Sequence, residues 1–161
     1  MVELEQIIAA YGSGLSRVAG SYEADPALQE DLLQDILIAI HGALPSLQND
    51  ESLAPFVYRI AHNRCVSHVV RQSSRRKRDI SPVEHEVPVT PEQLLLIDER
   101  SRMVAHAVRR LPLPYRQVMT LVLEELTYAE IAEALDLTVT NVGVRVNRAK
   151  AQLKELLDAP R

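Results

Sequence analysis

Two stretches of this chain carry side chains that could do chemistry, and in both the chemistry is recognition of nucleic acid. The first is a cationic run, Arg71, Arg75, Arg76 and Lys77, at the end of a segment that also presents Asn63 and Arg64. Guanidinium and ammonium groups at this density suit phosphate, while an exposed amide such as Asn63 suits a base edge. The second is the set Thr140, Asn141, Arg145 and Arg148, whose donors fit base edges and phosphates. Catalysis has no comparable constellation. There is no Gly-rich phosphate loop and no His-Glu-x-x-His, and the histidines at 41, 62, 68, 85 and 106 are scattered. Cys65 is the single cysteine, so an internal disulfide and a cysteine-based zinc site are both excluded. Neither enzymatic activity nor a metal or cofactor is expected.

The second set needs an element that holds it outward. Residues 126–149 supply one. Thr127 can cap a short helix, with Glu130 three residues on to complete a capping box. Ile131, Ala132 and Leu135 give that helix an apolar face. Asp136-Leu137-Thr138 breaks the pattern, and Thr138 or Thr140 can cap a longer second helix. Val142, Val146 and Ala149 recur at helical spacing, which turns them inward and turns Thr140, Asn141, Arg145 and Arg148 outward. A small helix, a turn and a polar-faced second helix form the geometry that enters a DNA major groove. From these residues alone, a helical hairpin with merely solvated arginines stays open.

The first set sits on a predicted helix over LAPFVYRIAHNRCVSHVVRQ, with Phe56, Val57, Ile60, Val66, Val69 and Val70 as its apolar side. Ahead of it, Asp25-Pro26 starts a helix running to about Leu44. Leu28, Leu32, Leu33, Ile36, Leu37 and Ile40 form its apolar stripe. Glu30, Asp31, Gln34 and Asp35 leave a mainly acidic surface that includes one apolar residue, Ile38. Residues 3–20 form a predicted first helix, which Gly12 and Gly14 weaken. After the basic run, DISPVEHEVPV (79–89) has two prolines and no helical period, and marks a linker. Thr90-Pro91 opens another helix to about Arg110, and a further one follows from about Tyr115 to Glu125.

Composition agrees with an all-α chain. Apolar residues make up 47% of it and aromatics 4%, with no Trp and five Gly, so the cores are built from aliphatic side chains on helices. The net charge of −4 conceals a division. Residues 1–50 carry −7, residues 51–78 carry +6, residues 79–100 carry −5 and residues 101–161 carry +2. The basic block suits phosphate and the acidic front suits a basic protein surface. No apolar run approaches the roughly 20 residues a membrane span needs, and Met1–Leu15 does not read as a secretory signal. A cytoplasmic protein is expected.

Read together, these motifs resemble the bacterial sigma-70 family, in its small two-domain, extracytoplasmic-function type. Glu30-Asp31-Leu-Leu-Gln34-Asp35 is similar to the family's region 2.2 signature. Tyr58-Arg59-Ile60-Ala61-His62-Asn63 is similar to its YRIA-x-N segment, which leads into the basic region 2.4. Leu111-Pro112 with Tyr115-Arg116-Gln117-Val118 resembles the start of domain 4, and 126–132 with 146–150 resembles its helix-turn-helix. The resemblance implies two small helical domains, 1–78 and 90–161, joined by the linker 79–89. It implies that Asp31, Gln34, Asp35 and Ile38 bind core RNA polymerase, and that the neighbourhood of Asn63 and Arg64 captures an unstacked base of the promoter's −10 element. Arg71, Arg75, Arg76 and Lys77 would hold backbone phosphates. Thr140, Asn141, Val144, Arg145 and Arg148 would read the −35 element. An anti-sigma protein is a further partner the resemblance allows. It would stabilise a compact state that buries both DNA-binding faces.

The chain departs from the family pattern at Phe56-Val57, where an aromatic, commonly Trp, is frequent, and at Leu37 and His41. The departure at Gly143-Val144 matters most, because the recognition helix usually presents a basic or polar pair there. Glycine costs about 1 kcal/mol of helix stability relative to alanine and removes a side chain from the reading face. An unusual −35 element is expected, with Val144 against a thymine methyl. Two other functional classes fit part of the pattern: a polymerase-binding protein that specifies no promoter, and an independent helix-turn-helix regulator.

Overall fold

A computed structural model describes residues 2–47, 52–78 and 99–159, with the side chains of residues 76–78 left out. Every regular element among these residues is a helix. In chain order they are α1 (Leu4–Gly20), α2 (Pro26–Ala43), a single 3-10 turn (Leu44–Ser46), α3 (Leu53–Arg78), α4 (Glu99–Arg109), α5 (Leu113–Leu123), α6 (Tyr128–Leu135) and α7 (Val139–Asp158). The all-α architecture follows from the aliphatic, glycine-poor composition. The expected linker 79–89 and the helix start at Thr90–Gln93 lie outside the described residues.

The helix ends follow the local chemistry of the sequence. Asp25 caps α2 by accepting from the Ala27 amide at 2.9 Å, with Pro26 in the first turn, where its missing N–H costs nothing. Thr127 and Glu130 close a reciprocal capping box on α6. Of the two candidate caps for α7, Thr138 is the one used, its Oγ1 accepting from the Asn141 amide at 3.1 Å. Asp136 ends α6 in the left-handed region, φ 56°, a conformation Asp tolerates better than most residues.

One expectation about helix interiors, the inner side of α3, is corrected. The helix over LAPFVYRIAHNRCVSHVVRQ carries on through the basic run as one α3 to Arg78, since Ser-Ser-Arg-Arg-Lys-Arg contains neither Pro nor Gly to break it. The inner side of α3 is turned from the one expected. Val57, Tyr58, Ala61, Cys65 and His68 are buried, whereas Val66 and Val69 are half-buried and Val70 is 57% exposed. His68 points inward because its ring Nε2 meets Glu23 Oε1 at 2.8 Å, a polar partner that a hydrophobic count does not register.

α1, α2 and α3 pack around Ile7, Leu15, Val18, Leu32, Ile36, Ile40, Val57 and Ala61. α4–α7 pack around Val108, Leu111, Val118, Leu121, Ile131, Val142 and Val146. Each fully buried aliphatic side chain contributes roughly 1.5–3 kcal/mol, so both helical groups have substantial cores. α1 runs unbroken through both glycines. At Gly14 the reason is packing: the Tyr58 hydroxyl and Glu124 Oε1 stand where a Cβ would be, the latter 2.7 Å from it. Only glycine lets α1 approach both groups so closely.

Candidate nucleic-acid and polymerase interfaces

Three helices carry the expected contact residues. On α2, Asp31 and Gln34 are exposed and Ile38 is 71% exposed, while Asp35 is half-buried and lies 3.9 Å from Arg64 Nη1. The stripe Leu32, Ile36 and Ile40 holds this surface outward by burying the opposite side of the helix. A large aliphatic side chain this exposed among carboxylates, with nothing among the described residues covering it, is unusual for a merely solvated face.

On α3, Asn63, Arg64, Arg71 and Arg75 are all exposed. The side chains of Arg76 and Lys77 lie outside the described set. Asn63 shares the outermost face with Arg59, one turn earlier, and with Val70. Arg64 and Arg71 sit on the flank toward α2, where Arg64 makes its long ion pair with Asp35. Beneath them, burial pushes the Cys65 thiol up to about 12, with Asp35 adding to the effect, so this cysteine is an inert core filler. Burial also holds His62 below the ordinary histidine range and therefore favours its neutral ring.

On α7, Val142, Val146, Ala149 and Leu153 are buried and fix which side faces out. At about 100° per residue, the centre of the outward side passes through Thr140, Val144 and Asn147, with Arg148 next to them. Thr140, Asn141, Asn147 and Arg148 are exposed, and Val144 is 43% exposed. Arg145 lies elsewhere. It is half-buried at the margin, and its Nε donates to Asn141 Oδ1 at 3.1 Å. The structure thus couples two expected reading residues to each other. It also brings forward Asn147, which the sequence reading passed over although it lies three residues from Val144. Gly143 has open space around it; a Cβ there would meet only the Tyr128 ring, at 3.8 Å.

The two helical groups pack against each other, and the outward side of α7 stays at the surface. α3 lies along α6 rather than on the outward side of α7. Arg17 forms a two-pronged pair with Glu124, Nε to Oε2 at 2.9 Å and Nη2 to Oε1 at 2.8 Å; this hydrogen bonding raises the Arg17 pKa. Arg109 Nη1 donates to the Gly20 carbonyl at 2.6 Å. The Arg116 guanidinium stands 5.5 Å from the centre of the Tyr22 ring. Burial lowers the pKa of both Arg109 and Arg116. Tyr58, between the two groups, is pushed up to about 12 by burial and then by Glu124. These contacts use the Gly20–Glu23 turn, α1 and the first half of α3, which leaves Asn63, Arg71, Thr140 and Arg148 at the surface.

Among the described residues, a capped helix-turn-helix, a second helix of exposed cations and an acidic, partly apolar third surface suit a protein that contacts both DNA and another protein. Comparison with known proteins makes the class specific. The family model "Sigma-70 region 2" matches residues 7–75, and "Sigma-70, region 4" matches residues 101–153. The chain is 31% identical over 131 residues to the ECF RNA polymerase sigma-E factor of Escherichia coli (strain K12), covering 74% of this chain and 69% of that one. It is 25% identical over 135 residues to RNA polymerase sigma factor SigZ of Bacillus subtilis (strain 168), covering 83% of this chain and 75% of that one. The fold is similar to that of the sigma factor RpoE from Bartonella quintana, solved with the anti-sigma factor NepR. That likeness has a TM-score of 0.78 at 22% identity and covers 98% of both chains. CnrH, solved with the cytosolic domain of CnrY, gives a TM-score of 0.72 at 24% identity, covering 98% of this chain and 89% of that one. The chain belongs to the sigma-70 family, in its ECF group, and is a promoter-specific RNA polymerase sigma factor whose partners are core RNA polymerase and promoter DNA.

Proposed function

We propose a division of labour in which residues 1–78 bind core polymerase and open the −10 element while residues 90–161 read the −35 element. α2 docks on core through Asp31, Gln34, Asp35 and Ile38. α3 captures a −10 base near Asn63 and Arg64, and Arg71, Arg75, Arg76 and Lys77 hold the phosphates around it. α7 enters the major groove with Thr140, Asn141, Val144 and Arg148, and Arg145 supports Asn141 rather than reaching a base itself. The protein is a non-enzymatic factor that acts in the cytoplasm. An inhibitory protein is a further partner, as NepR is for the Bartonella factor.

The observation that carries this reading is the outward side of α2. Ile38 is 71% exposed beside exposed Asp31 and Gln34, a composition that suits a protein interface with a small apolar centre and a charged rim. The test is transcription in vitro from fragmented genomic DNA with purified core polymerase. Discrete new start sites are expected with the wild-type chain, and none with Asp31→Lys/Asp35→Lys. New starts that survive this double reversal would place core binding elsewhere. Tight core binding without new starts would mean that the division of promoter reading is wrong.

A further inference from the structure

Arg59 lies on the outward face of α3, and its side chain is taken by the other helical group. Its Nε donates to the Ala134 carbonyl at 3.4 Å, and its Nη2 donates to the Glu133 carbonyl. Both acceptors lie in the last turn of α6. An α-helix leaves its final carbonyls without partners inside the helix. Here the Ala132 carbonyl is already satisfied by the Leu137 amide at 2.9 Å and by the Asp136 amide. The carbonyls of Glu133 and Ala134 still need an outside donor, and Arg59 supplies it. They also carry the partial negative charge of the helix C-terminus. Glu133 and Asp136, both exposed, add two carboxylates at the same end. Two oxygens presented to one guanidinium in an anionic setting are what a phosphodiester offers.

The position of Arg59 gives this pairing a consequence. It precedes Asn63 by four residues and shares its face, so a strand whose base reached Asn63 would bring a phosphate to Arg59. We infer that Arg59 is a phosphate-binding residue for the promoter strand held on α3, and that the C-terminus of α6 stands in for that phosphate when the two helical groups are packed together. Single-stranded DNA and α6 then compete for one guanidinium. Engagement of the −10 strand releases the helix-turn-helix, and release of the helix-turn-helix completes the strand site. This inference rests on the assignment of the −10 element to α3 made above.

The test uses the full chain and a short randomised, fluorescein-labelled single-stranded DNA, with anisotropy followed over a salt series. Glu124→Gln and, separately, Arg17→Gln loosen the packing at a contact away from the outward face of α3. Both are expected to tighten DNA binding severalfold. Arg59→Ala loosens the packing too, yet it is expected to weaken binding severalfold and to lower the slope of log K against log salt by about 0.7, the loss of one single-strand phosphate contact. Helical content by circular dichroism confirms that each variant is folded. If Arg59→Ala binds as tightly as wild type or more tightly, Arg59 only fastens the two groups together. If both loosened variants bind like wild type, α6 does not compete with DNA. Promoter-directed transcription by the wild-type chain, measured in parallel, reports on the −10 assignment itself and is independent of the signs of these changes.

Discussion

α3 and α7 are the two longest helices among the described residues, and both turn an open polar face to solvent, but they are built for different tasks. α3 offers cations along its length, with Arg59, Arg64, Arg71 and Arg75 all exposed around a single amide, Asn63. α7 offers few. Arg145 is tied to Asn141, Arg148 is the free guanidinium near the centre, and the rest of its outward side is Thr140, Val144 and Asn147. A surface dense in flexible cations gains affinity from any phosphate backbone, whereas a sparse surface of short side chains gains it only from a matching base edge. The difference teaches where strength and choice reside. α3 supplies grip and salt dependence, and α7 supplies discrimination.

The sharpest way to break that contrast is to remove one arginine from each helix. Arg148→Ala should cost about 1–3 kcal/mol on the preferred promoter and relax specificity at one base pair of the −35 element. Arg71→Ala should weaken all promoters alike and reduce the magnitude of the salt slope by about 0.7–0.9, with no change in preference. Competition among promoter variants at two salt concentrations separates these outcomes. If Arg71→Ala changes base preference, or Arg148→Ala lowers every promoter equally, the roles are shared rather than divided.

How much of this was readable in the sequence differs between the same two helices. The α6–α7 unit was almost fully readable, because caps and apolar spacing are local: Thr127, Glu130 and Thr138 sit where their side chains must to satisfy the first amides of each helix. The inner face of α3 was not. Its true side is set by His68 meeting Glu23 and by Tyr58 packing edge-on to Tyr11, with ring centres 5.9 Å apart. Those contacts join residues far apart in the chain, and a hydrophobicity count assigns His68 outward and Val70 inward. Asn147 was missed for a different reason. Its place on the outward side follows only from the angle measured from Val142, Val146 and Ala149, which residue type does not signal. The packing of the two groups through Arg17, Arg59, Arg109 and Arg116 had no local signal at all, since arginine in a sequence reads as solvent-facing.

The glycine at 143 tests α7 alone, at an intermediate magnitude. Nothing inside the protein needs it, because a Cβ would meet only the Tyr128 ring at van der Waals distance. Gly143→Ala should therefore stabilise the helix-turn-helix by about 1 kcal/mol, visible as a higher Tm. If α7 reads DNA by close approach of its backbone beside Val144 and Asn147, the same change should reduce −35-dependent transcription despite the gain in stability. The equivalent Gly12→Ala in α1, where the nearest foreign atom to a Cβ is Ile8 Cγ2 at 3.5 Å, should leave transcription unchanged. A stabilised Gly143→Ala protein with full −35 activity would remove the glycine from any account of specificity.

The smallest effect concerns pH and separates the two helices by what lies beneath them. α3 buries part of a titratable ring, His62, whereas the inner side of α7 is Val142, Val146, Ala149 and Leu153, with nothing to titrate. Burial lowers the His62 pKa below its ordinary 6.5, so the folded protein resists the proton that the unfolded chain accepts. The sign follows from linkage. Above the unfolded pKa both states carry a neutral ring and stability is intact; as pH falls toward the depressed folded value, the unfolded state binds more protons and stability is lost. Amide exchange should therefore quicken in α3 before α7 as pH falls through the ordinary histidine value of 6.5, and His62→Gln should reduce the difference. Equal quickening in both helices would mean that acid acts on the packing between the two groups rather than on α3 alone.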